Sequence, residues 1–183
     1  MSGKKYTIRI FIACLILQAV NASTTAARAQ GKPPLEYQIK AAFLFNFTRF
    51  IHWPASAYSS PDAPFVIGIA GNDPFGSYLD DLVNGEQAEG HNIIIRRYPD
   101  GGDISGCQLL FVNTFAPAKL KTILSLARRN TLTVGDANSF VNSGGMIRFF
   151  KEDNRIKMEI KLAAIKAAKL EISAKLLQVA KVK

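Results

Sequence analysis

The chain reads as a single α/β domain behind an export signal, with a mainly parallel sheet of about six strands, helices on both faces and a C-terminal antiparallel hairpin. Three observations predict this. Short apolar runs at 65–70, 92–98, 108–113 and 132–134 alternate with helical patterns, an order that right-handed crossovers convert into a parallel sheet covered on both sides. From Met146 to Leu162 the period changes to two, as in a hairpin with one wet face. Nowhere after the first thirty residues is there a run of the roughly 18 apolar residues that a membrane-spanning helix requires.

The first segment carries Lys4, Lys5 and Arg9, then an apolar run from Ile10 to Val20, then Ala27-Arg28-Ala29. This order of positive, apolar and small residues predicts a signal peptide over 1–29, cut before Gln30, and a protein working outside the cytoplasm. Residues 30–183 are then the single domain. Cys14 leaves with the signal, so Cys107 is the lone cysteine of that domain and an intramolecular disulfide is excluded. Beside the apolar run Leu109–Val112, Cys107 is expected to be a small buried side chain.

After Gly31–Pro34 a helical pattern runs from Glu36 to about Trp53 and stops at Pro54. Spacing at 100° per residue puts Ile39, Ala42, Phe43, Phe47, Phe50 and Trp53 on the core stripe, with Asn46 inside it as a clamp to nearby backbone. Phe45 and His52 fall on the polar side. Phe65–Ala70 is the first strand; Gly71-Asn72-Asp73-Pro74 turns into a helix that Asn72 or Asp73 can cap. That loop lacks the Lys-Ser/Thr of a P-loop and the GxGxxG of a dinucleotide site.

Asn92–Tyr98 and Gln108–Asn113 are further strands, and Pro117–Arg129 is a helix with Leu120, Ile123, Leu124 and Ala127 inward. Leu132–Val134 is a short strand, 137–143 a short helix ended by Gly144-Gly145. In the hairpin, Ile147, Phe149, Ile156, Met158 and Ile160 face the core, while Arg148, Phe150, Lys157 and Glu159 share the wet face. Aromatic beside arginine is the composition enriched in binding hot spots. Arg148, Phe150, Lys157 and Glu159 are therefore the candidate partner-binding residues. The tail from Leu162 is helical in composition, but one straight helix would bury Lys166 and Lys169, so a break is expected near Ala168–Leu170.

The charge is unevenly placed. From Arg148 onward ten Lys/Arg face four Asp/Glu, whereas residues 30–147 carry nine against ten. In an exported protein such a cationic third suits an acidic protein surface, anionic lipid or cell-wall polymer rather than nucleic acid, or else a solvated, solubilising face. Chemistry-bearing motifs are scarce. His52 and His91 have no metal-ligand spacing, no GxSxG occurs, and Asp80 and Asp81 diverge by 100° on a helix. The expectation is a non-enzymatic protein with no catalytic residue, no metal and no cofactor. The alternative from another class is a periplasmic small-ligand-binding module at the strand ends, near Asn72, Asp73, Asn113 and Asp136.

In this order, "EYQIKAAFLFNFTRFIHWP", "IGIAGNDPFG", "GCQLLFVN", "LTVGD", "GGMIRFF" and "RIKMEIKLAAIKAAKLEISAKLL" resemble the YfiR family of small bacterial periplasmic proteins. The resemblance implies a single α/β domain that represses an inner-membrane diguanylate cyclase of the YfiN type. It also implies relief of that repression by an outer-membrane lipoprotein of the OmpA/Pal kind, with cyclic-di-GMP and biofilm as output, and it allows a homodimer. The sequence departs from the family in having only Cys107, Lys161 where Asn is expected, and Lys169 where a helix-breaking Gly is expected.

Overall fold

The computed structural model describes residues 32–99 and 101–183; the expected signal peptide, its cut before Gln30 and Cys14 lie outside the described residues. Helix α1 (Leu35–Phe50) ends three residues before Trp53. Its buried residues are Lys40, Ala41, Leu44, Phe47 and Thr48, so the core stripe is rotated from the expected one and Ile39 stands 37% exposed. Apolar side chains surround this helix almost completely, so periodicity alone could not choose the face; contact with the sheet does.

Asn46 is not the expected clamp: it is half-buried, and the hydroxyl that bonds backbone here is that of Thr48, donating to the Phe45 carbonyl at 2.7 Å. Phe45 packs against the main core with the Arg49 guanidinium 4.7 Å from its ring centre. Beyond α1 the chain straightens into β1 (Ile51–His52). Trp53 is buried outside the helix, edge-on to Phe65 at 4.8 Å, and its Nε1 donates to the Gln108 carbonyl at 2.9 Å.

The remaining elements are β2 (Phe65–Gly71), α2 (Ser77–Val83), β3 (Gln87–Ala88), β4 (His91–Tyr98), β5 (Leu109–Asn113), α3 (Pro117–Leu126) and β6 (Leu132–Gly135). They are followed by β7 (Ile147–Glu152), β8 (Arg155–Ile160), α4 (Leu162–Ala167), β9 (Glu171–Ile172), α5 (Ala174–Gln178) and β10 (Lys181–Val182). The sheet is mixed and has eight strands, in the order β10-β8-β7-β6-β5-β2-β4-β3, where a mainly parallel sheet of about six was expected. Its centre, β7-β6-β5-β2-β4, is parallel; β8 on β7 and β3 on β4 run antiparallel, and β10 returns parallel to β8. The two extra strands are two residues long, too short to leave a periodic signal. β1 and β9 form a separate antiparallel pair.

Helices cover both faces. On one, Leu44 and Phe47 of α1, Leu79 of α2, Ile165 of α4 and Leu176 of α5 pack with Ile67, Ile69, Phe111 and Val134. On the other, Leu120 and Ile123 of α3 pack with Val66, Leu110, Val112 and Phe140. Helix α3 ends at Leu126 rather than Arg129. Residues 137–143 form turns, not the expected helix. Phe140 is fully buried there, and a Cβ on Gly135 would come within 2.5 Å of its ring, so the close approach that seats Phe140 requires glycine.

The β7–β8 hairpin turns through Asp153 and Asn154, both left-handed (φ 50° and 59°), the conformation of a two-residue turn that follows strand twist. The tail breaks where expected: Lys169 is left-handed at φ 59°, between α4 and β9. The expected wet face of the hairpin is overturned at one position. Glu159 is 3% exposed, because β10 pairs beside it and Lys183 folds over its carboxylate.

Candidate functional site

A cleft of about 380 Å³ opens where the parallel strands end, between the first turns of α1 and the middle of β7. Register explains its position. Gly135 pairs with Arg148, so β7 continues past the end of β6 while the chain turns away at Asp136. The floor holds a lysine that the helical wheel did not single out. Lys40 is 3% exposed, and its ammonium donates to Glu36 Oε1 at 2.6 Å and to Asp136 Oδ2 at 2.8 Å.

Burial opposes charge on Lys40, but the hydrogen bonds to Asp136 and Glu36 outweigh it and hold its pKa above the ordinary lysine value. The same ammonium lies 4.5 Å from the ring centre of Tyr37. Burial, then the neighbouring Asp136 charge, raises the Tyr37 phenol, so it stays neutral. Tyr37 is fixed in turn by an edge contact with Phe75 at 5.8 Å. The other oxygen of Asp136, Oδ1, is buried and has no hydrogen-bond partner among the described residues, as is the case for Oδ1 of Asn113 on the adjacent strand end.

Two of the four expected partner-binding residues line this cleft. Arg148 and Phe150 form one wall, the guanidinium 5.0 Å from the ring centre. Arg148 Nε donates to Glu159 Oε2 at 2.9 Å and Nη1 to Asn138 Oδ1 at 3.3 Å. Glu159 lies opposite Arg148 in the hairpin register and serves as its buried counter-charge; bonds from Lys183 and Arg148 hold its carboxyl below the usual range despite burial. Lys157, opposite Phe150, is paired with Glu152 at the hairpin end.

Of the four strand-end residues of the ligand-module alternative, Asn72 and Asn113 are in contact, and Asp73 is committed to its own turn and to Arg97. Asp73 Oδ1 accepts from the Phe75 and Gly76 amides and Oδ2 from Arg97, which also binds Asp80. Asn113 Nδ2 donates to the Asn72 carbonyl at 3.0 Å. Gly71, at φ +88°, allows the approach: a Cβ there would collide with the Asn113 carbonyl.

Away from the cleft, the two histidines come closer than sequence distance implies. His52 Nδ1 bonds Glu89 Oε1 at 2.7 Å, and Tyr58, stacked on His91 at 3.8 Å, donates to the other Glu89 oxygen at 3.4 Å. His91 Nδ1 bonds the Ala63 carbonyl at 2.6 Å. Among the described residues no three His, Cys, Asp or Glu side chains gather as a metal group. Cys107 is buried 3.5 Å from the Tyr98 hydroxyl, and burial pushes its thiol up.

The Lys40–Asp136 contact, across 96 positions, leaves no trace in spacing. Only the Glu36/Lys40 pair, one helical turn apart, was visible, and such pairs are ordinarily solvent-facing.

A family model described as YfiR/HmsC-like matches residues 37–181. No curated protein matches the chain. Among solved structures, a conserved domain protein from Vibrio cholerae O1 biovar El Tor str. N16961 aligns with a TM-score of 0.44 and 15% identity. The alignment covers 64% of this chain and 54% of that one, so the chain spans about half the length of that relative. Among the described residues no helix is long and apolar enough to cross a membrane.

Proposed function

Because the chain belongs to the YfiR/HmsC-like family, whose pattern runs from Tyr37 to Lys181, we propose that it is a periplasmic, non-enzymatic repressor of a membrane diguanylate cyclase. It binds the periplasmic part of the cyclase and lowers cyclic-di-GMP, and an outer-membrane lipoprotein of the OmpA/Pal kind relieves repression by capturing it. Repression of this kind is differential binding: the protein must prefer the inactive state of its partner. Capture lowers the free repressor and so releases the cyclase.

The observation in this structure that supports the reading is the wall formed by Arg148 and Phe150. A guanidinium laid over an aromatic ring at 5.0 Å, on a rigid hairpin and with Glu159 behind it, is a pre-ordered docking element. Deleting the gene in a strain that expresses the cyclase should raise cyclic-di-GMP. An unchanged level there removes the proposal.

One observation favours a second reading, a module that binds a small periplasmic ligand. The Oδ1 atoms of Asp136 and Asn113, which have no partner among the described residues, lie at the ends of adjacent strands, where open α/β sheets bind ligands. A thermal-shift screen with periplasmic metabolites should then give saturable stabilisation by one compound, lost in Asp136→Asn. A flat screen ends this reading.

A further inference from the structure

One large apolar side chain stands exposed in the lining of the strand-end cleft, Phe115 at 72%, while Leu35 at 69% and Ile39 at 37% are exposed on the adjoining face of α1. Phe115 lines the cleft from the loop between β5 and α3. Leu35 and Ile39 sit one helical turn apart beside Glu36, which lines it from α1. Phe115 and Phe150 put apolar surface on opposite sides of the ionic floor of Lys40, Glu36 and Asp136. Exposed apolar groups gathered in this way, edged by charge, mark association surfaces.

The charge of the cleft is directional. Both carboxylates of the cleft, Glu36 and Asp136, are held by Lys40. Arg148 spends Nε and Nη1 on Glu159 and Asn138, which leaves Nη2 without a partner among the described residues. Lys151, on the same wall, is exposed and meets no carboxylate among the described residues. The lining thus carries three cations, Lys40, Arg148 and Lys151, against two carboxylates, Glu36 and Asp136, and this excess favours an acidic occupant over a basic one.

We propose that the cleft between α1 and β7 is the seat for an acidic, apolar segment of the periplasmic domain of the cyclase. An apolar side chain of that segment enters between Phe115 and Phe150, and flanking Asp or Glu side chains meet Lys151 and Arg148. This rests on the repressor reading and gives it a location.

The test uses the exported, processed protein and the purified periplasmic domain of the cyclase from the same genome, with affinity measured by calorimetry at low and high salt. Phe115→Ala and Lys151→Glu should each weaken binding about tenfold or more, and the Lys151→Glu effect should shrink at high salt. Leu126→Ala, which removes an equally apolar exposed side chain (52%) from α3, should change nothing. Parent-like affinity in both Phe115→Ala and Lys151→Glu overturns the docking seat while leaving the repressor reading intact, and so does an equal loss in Leu126→Ala. Absence of binding by the parent protein overturns the repressor reading itself.

Discussion

Replacing Lys40 by methionine is expected to destabilise the domain by about 3–5 kcal/mol, the usual cost of removing one partner from a buried ion pair. For a domain of this size, that is a fall in melting temperature of roughly 6–20 °C. The size follows from what is left behind. Asp136 is 9% exposed and one of its oxygens has no partner among the described residues, so losing the ammonium strands a buried carboxylate. Glu36 contributes less, because it is 40% exposed and water can replace the lysine.

The double variant Lys40→Met, Asp136→Leu should recover much of the loss, since matched apolar residues commonly replace a buried pair at little cost. A melting point in Lys40→Met within about one degree of the parent would show that the pair carries no stability. The pH dependence has a definite sign. Lys40 and Tyr37 both have pKa values raised on folding, so their contribution is complete below the unfolded values near 10 and is lost as pH rises through the folded ones. The melting temperature should fall more steeply above pH ~10 in the parent, and Lys40→Met should lose the lysine part of that fall while keeping the part that comes from Tyr37.

This floor also shows why part of the molecule was legible in its sequence and part was not. The hairpin was legible because two signals agree: alternation through Ile147, Phe149, Met158 and Ile160, and a turn at Asp153-Asn154 that accepts left-handed backbone. The tail break near Lys169 was legible because a straight helix would have buried two lysines. Other features depend on contacts that neighbouring residues do not encode. A two-residue strand such as β3 has no period, and the rotation of α1 is set by the sheet beneath it. Glu159 alternates like a solvent-facing residue, yet β10 and Lys183 return from the end of the chain to cover it. For the candidate site the same holds: Arg148 and Phe150 emerged from local alternation, whereas Lys40, Asp136 and Phe115 come together only through the order of the strands.

Two adjacent phenylalanines should then behave in opposite ways. Phe149 is fully buried, stacked on Phe47 at 6.0 Å with an 11° tilt and 5.7 Å from Phe43. Phe149→Ala should cost about 3–5 kcal/mol, through lost burial and a cavity that rigid neighbouring rings cannot fill. Phe150 is half-buried on the opposite side of the strand, with the Arg148 guanidinium over its ring. Phe150→Ala forfeits about 0.5–1 kcal/mol of cation–ring attraction, so its melting temperature should stay near that of the parent while cyclase affinity falls. Paired thermal melts and binding titrations of the two variants check both expectations. The opposite pattern, a stable Phe149→Ala and a collapsed Phe150→Ala, would mean that the strand is turned over. The wall of the cleft would then have been assigned to the wrong face, because a one-residue slip in β7 exchanges every inward side chain for an outward one.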